Sequence, residues 1–96
     1  MSKAELLESW GDHLTNARRR SPHTVRAYVA AANRLLESTG AESWQDVAAM
    51  TAGAMRLQLA QRRNDGLGNV STARELSALK GFLAFAREKL GEDDPR

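Results

Sequence analysis

The residues best suited to chemistry in this 96-residue chain sit in one run: Arg18, Arg19, Arg20, Ser21, Pro22, His23, Thr24, Val25, Arg26, Ala27 and Tyr28. Three consecutive cations lead into a helix start. Ser21 reads as the N-cap and Pro22 as the first helical residue, where a missing N–H is harmless. A helix N-terminus leaves backbone N–H groups unpaired and carries a partial positive charge, so it attracts phosphate. The arginines, the hydroxyls of Ser21 and Thr24 and the imidazole of His23 add donors around it. This composition suits the grip of a nucleic-acid backbone rather than the making or breaking of bonds. The sequence leaves two uses open for Thr24: a phosphate contact, or a second hydrogen bond inside the first turn. Arg26 lies off the apolar stripe, as a ligand contact or as a plain surface arginine.

A second group lies at Ser71, Thr72, Arg74, Ser77, Lys80 and Gly81. Arg74, Ser77 and Lys80 recur every three residues, so they share one helix face beside the leucines. A helix with cations and small polar groups on its outer side fits a major groove, where Arg and Lys favour guanine edges and phosphates. Ser77 and Gly81 are small enough to permit close approach. The competing reading is an ordinary solvated helix face.

Other chemistries find little support. His13 and His23 have no second ligand at metal spacing, so neither a metal nor a cofactor is expected. The glycines at 66 and 68 follow a helix and lack the rest of a phosphate-loop pattern. The carboxylates are scattered, and Tyr28 lies on an apolar stripe with no activating base near it. The chain is not expected to be an enzyme by itself.

The elements that must position these residues read as helices. Few residues are β-branched, and Ala and Leu abound. Helix 1 is expected over residues 3–17, with Leu6, Leu7, Trp10, Leu14 and Ala17 inward. Helix 2 runs from its Ser21 cap to a Gly40 stop, with the stripe Val25, Tyr28, Val29, Ala32, Leu35 and Leu36. Residues 41–50 are a connection that tucks in Trp44, Val47 and Met50, with one turn around 43–46. Helix 3 covers 51–63, with Met55 and Leu59 inward, and residues 64–69 form a loop. Helix 4 opens on a capping box of Thr72 and Glu75. Leu76, Leu79, Leu83, Ala86 and Leu90 trace its core face, Phe82 and Phe85 widen it, and Gly91 ends it.

At 42% apolar and 27% charged residues, the composition is that of a single globular domain. No cysteine occurs, which excludes disulfides and fits a cytoplasmic protein. No apolar stretch is long enough to span a membrane. The net charge is only +2, but it is segregated. Residues 18–36 carry +5 and residues 56–74 carry +3, while 1–17, 37–55 and 75–96 are each acidic. Cations gathered in this way are the footprint of a polyanion-binding face.

Two motifs in order, Ser21-x-x-Thr24-x-x-x-Tyr28 and Arg74-x-Leu76-Ser77-Ala78-Leu79-Lys80-x-Phe82, resemble the N-terminal, core-binding (SAM-like) domain of tyrosine recombinases, the phage-integrase family. Residues 20–28 and 77–79 look especially like the bacterial Xer-type enzymes. The resemblance covers nearly the whole chain. It implies an all-α, compact, orthogonally packed four-helix bundle over residues 1–91, with 92–96 beginning a linker. It also implies double-stranded DNA as partner, with helices 2 and 4 facing the major groove. The nominated contacts are Arg18, Arg19, Arg20, Ser21, His23, Thr24, Arg26, Thr72, Arg74, Ser77 and Lys80. The other implied partners are a catalytic domain of the same chain and sister recombinase subunits in a DNA-bound tetramer. Glu75 departs from the family pattern, which often has a basic residue there, and Gly81 is also less usual. Two rival readings compete. A helical protein-interaction module would expose apolar residues such as Leu57, Leu67 or Val70. A helix-turn-helix regulator needs a tighter turn than residues 64–70 allow.

Overall fold

In the computed structural model, which describes residues 2–93, every regular element is helical. Helix α1, Lys3–Asp12, begins where the Ser2 hydroxyl accepts from the Glu5 N–H at 3.3 Å. It passes without a break into a π-helical turn, His13–Ala17. The wider turn closes with the Arg18 N–H on the His13 carbonyl (3.1 Å) and the Arg20 N–H on the Leu14 carbonyl (2.9 Å). Arg19 takes a left-handed backbone, φ 51°, to make that closure.

Helix α2, Pro22–Thr39, has the expected cap, with the Ser21 hydroxyl accepting from the Thr24 N–H at 3.2 Å. It ends at Gly40, whose φ of 73° is the left-handed conformation that stops a helix. Helix α4, Ala52–Asn64, leads through a turn at Gly66 into α5, Asn69–Asp93, the longest helix.

Four expectations need correction. Residues 41–50 hold a fifth helix, α3, Trp44–Ala48, because Ser43 caps it by accepting from the Asp46 N–H at 3.1 Å. Helix α5 starts at Asn69, three residues before the expected cap. Thr72 and Glu75 therefore form no capping box. The Thr72 hydroxyl donates back to the Gly68 carbonyl at 2.8 Å, and Glu75 faces inward. Nor does Gly91 end the helix, which continues to Asp93. A glycine weakens a helix by about 1 kcal/mol but stops it only where the backbone turns left-handed. Finally, nothing stands within 4 Å of where a Gly91 side chain would be, whereas Gly81 has an inward purpose: a Cβ there would lie 3.2 Å from the Trp10 ring. Its smallness admits the indole as well as leaving the helix surface open. Residues 94–96 of the expected linker lie outside the described residues.

The core gathers on α5. Phe82, Leu79 and Ala86 are fully buried, together with Leu6 of α1, Leu35 of α2 and Val47 of α3. Trp10 and Trp44 meet Phe82 and Phe85 with ring centroids 5.1–5.8 Å apart. The His13 ring stacks on Phe85 at 4.4 Å. Helix α5 thus serves as the axis on which α1, α2, α3 and α4 are placed. Among the described residues, no helix is long and apolar enough to cross a membrane.

Candidate nucleic-acid interface

The start of α2 and the outer side of α5 come together across an open groove of about 700 Å³. Arg20, His23 and Thr24 line it from one side and Ser71 and Arg74 from the other. Ala27, Ala30 and Ala31 keep it open, since larger side chains at those α2 positions would fill it. A second recess, about 250 Å³, adjoins the π-turn and is lined by Arg18, Arg20, Ser77 and Gly81 among others. Arg20 borders both. Arg19, Arg26 and Lys80 are exposed but line neither recess.

Local geometry resolves the two uses of Thr24. Its hydroxyl accepts from the Ser21 hydroxyl at 3.1 Å while its N–H is capped by Ser21, so the first-turn bond is real. Its own O–H has no acceptor among the described residues, and Thr24 lines the groove. Thr72 leaves the exposed set, being only 3% exposed with its hydroxyl committed to Gly68. None of Arg18, Arg19, Arg20, Arg26, Arg74 or Lys80 pairs with a carboxylate among the described residues. Their charge is therefore free to act on a ligand.

Sequence reasoning missed three charged members of the groove lining: Arg34, Arg62 and Glu75. Glu75 accepts from Arg34 Nη2 on one carboxylate oxygen. On the other it accepts from Gln58 Nε2 at 3.0 Å, with Arg62 Nε 3.4 Å away. Gln58 Nε2 also donates to the Ala31 carbonyl at 3.2 Å. The cluster ties α2, α4 and α5 together. Burial alone would raise the Glu75 pKa. The hydrogen bonds from Arg34 and Gln58 and the charges of Arg34 and Arg62 outweigh it, and hold the carboxyl below its ordinary value. The available signal was the spacing of Ala27, Ala30, Ala31 and Arg34, a small-residue helix face ending in a cation.

Comparison with known proteins agrees with this architecture. The family model "Phage integrase, N-terminal SAM-like domain" matches residues 7–89. Among curated proteins, the chain is 40% identical over 82 residues to a tyrosine recombinase XerC of Actinobacillus succinogenes, covering 82% of this chain and 27% of that protein. It is 36% identical over 93 residues to the one of Azotobacter vinelandii (93% and 30%) and 34% identical over 88 residues to the one of Rhodospirillum centenum (86% and 26%). The chain thus spans less than a third of the length of these relatives. No solved structure matches it significantly. With a family model covering most of its length and the all-helical architecture described above, the chain belongs to the phage integrase N-terminal, SAM-like domain family.

Proposed function

We propose that this chain is the DNA-binding domain of a site-specific tyrosine recombinase, acting in the cytoplasm. It holds one face of a recombination half-site while a separate catalytic domain and sister subunits carry out strand exchange. One observation carries the reading: the two cationic segments, far apart in sequence, line a single groove with Arg20, His23, Thr24, Ser71 and Arg74. The work of the domain is positioning. Its arginines neutralise phosphates, and each phosphate contact on duplex DNA steepens the salt dependence of binding by about 0.9 in log–log slope. Arg74, Ser77 and Lys80, all exposed on α5, are the residues offered to base edges.

A backbone amide NMR titration with a short duplex, at low and then physiological salt, tests this. Shifts should cluster at residues 18–28 and 71–80 and fade with salt. The double variant Arg26→Ala/Arg74→Ala should weaken binding about a hundredfold or more if each arginine supplies a charge-assisted contact of roughly 1.5–3 kcal/mol. Unchanged affinity would refute the DNA reading. A second reading has one observation in its favour: Leu57 and Val70 stand 62% and 68% exposed, as an apolar protein partner would require. No duplex-induced shift even at low salt would promote that reading.

A further inference from the structure

The buried carboxylate at the groove has no counterpart in a simple picture of a basic DNA-binding face. Glu75 is 6% exposed, yet it lines the groove beside Arg74, one of the nominated contacts. Two guanidinium groups converge on this single carboxylate, which leaves a surplus positive charge at the site. Both arginines remain partly open to solvent, with side chains 34% and 27% exposed, and both line the groove. A guanidinium carries more N–H donors than one carboxylate oxygen uses. Arg34 is hydrogen-bonded to one carboxylate oxygen and Arg62 is ion-paired with the other, so each presents its remaining donors in a restricted direction, at reduced entropic cost on binding.

We propose that Glu75 is a positioning residue for DNA, holding Arg34 and Arg62 so that their remaining donors meet a backbone phosphate in the groove between α2 and α5. This rests on the DNA-binding reading and adds two contacts and an orienting group to it. Gln58 completes the arrangement. Its amide donates both to Glu75 and to the α2 backbone, which fixes the carboxylate relative to the helix that carries Arg34.

The sign of one substitution separates positioning from net charge. Glu75→Gln is nearly isosteric and makes the domain more positive by one unit. General electrostatics then requires equal or tighter DNA binding. Positioning requires weaker binding, because a neutral amide presents an N–H where Arg34 and Arg62 need an acceptor and an opposite charge, and so releases them. The experiment measures Kd of the full chain for a short fluorescent duplex by anisotropy across a NaCl series, with thermal melts of each variant.

Glu75→Gln should weaken binding by about tenfold or more, as expected for one charge-assisted hydrogen bond. Equal or tighter binding by a folded Glu75→Gln protein overturns the inference. Where that variant fails to fold, Arg34→Met/Arg62→Met/Glu75→Leu removes the charges together, a replacement buried ion clusters tolerate. Its log–log salt slope should be shallower by about 1, and an unchanged slope overturns the inference. Wild-type chain that shows no salt-dependent binding sinks the DNA reading and this inference with it. Wild-type binding matched by Glu75→Gln sinks this inference alone.

Discussion

Arg19 sits at the junction of strain and charge. A left-handed backbone disfavours a residue with a Cβ by about 1–2 kcal/mol, and asparagine tolerates it better than arginine. Arg19→Asn should therefore leave the melting temperature unchanged or raise it, while DNA affinity falls and the salt slope drops by about 0.9 if the side chain meets a phosphate. A lower melting temperature in that variant would mean that Arg19 supports the turn through its side chain. Glu75 makes the complementary residue-scale case. Its folded pKa lies below the ordinary value of 4.5. The folded state therefore binds the proton less readily than the unfolded one, and the resulting stability is present above 4.5 and lost as pH falls through the lower, folded value. In denaturation from pH 7 to pH 3, wild type should lose more stability below pH 4.5 than Glu75→Gln does. Parallel pH profiles would remove Glu75 from the acid response. At this scale the sequence revealed the cations and the cap, since each depends only on neighbours along the chain. It concealed the Glu75 cluster, whose members Arg34, Gln58 and Arg62 come from two other helices and reach Glu75 only through packing.

Elements were legible where a local signal has one meaning. Ser21 before Pro22 defines the start of α2, and Gly40 with φ 73° defines its end. Ser21→Ala should cost about 1 kcal/mol, read as a lower midpoint in urea, because it strips the Thr24 N–H of its acceptor and the Thr24 hydroxyl of its donor partner. No change in midpoint would mean that Thr24 recaps the helix itself. The start of α5 was misread because a Thr–Glu spacing of three serves two structures. It makes a capping box at a helix end, and in a helix interior it places both side chains toward the same side, here the buried one. Only the loop before α5 decides between them, and Gly68 accepts from both the Thr72 N–H and the Thr72 hydroxyl, which carries the helix back to Asn69. The short α3 was partly legible from its Ser43 cap. The π-turn was not, because its closure depends on how Leu14 seats in the core and on the stack of His13 against Phe85.

Across the whole molecule, the aromatic core and the exposed cations occupy different sides of the same helix. The inward side of α5 carries Phe82, which meets Trp10 from the first helix and Trp44 from the third. Its outward side carries Arg74, Ser77 and Lys80 in solvent. Phe82→Ala should cost roughly 3–5 kcal/mol through the lost area and the cavity left behind. A domain of this size holds only about 5–15 kcal/mol in all, so that variant should melt far below wild type and bind DNA only as well as its folded fraction allows. Arg74→Ala and Lys80→Ala belong to the opposite class. Each removes an exposed cation with no carboxylate partner among the described residues, so each should change stability by no more than about 0.5 kcal/mol while weakening DNA binding. Paired thermal melts and salt-titrated affinities on Phe82→Ala, Arg74→Ala and Lys80→Ala check the division. A loss of stability in the arginine or lysine variant matching that of Phe82→Ala would mean that the outer side of α5 is structural and that the groove owes its cations to packing rather than to a ligand.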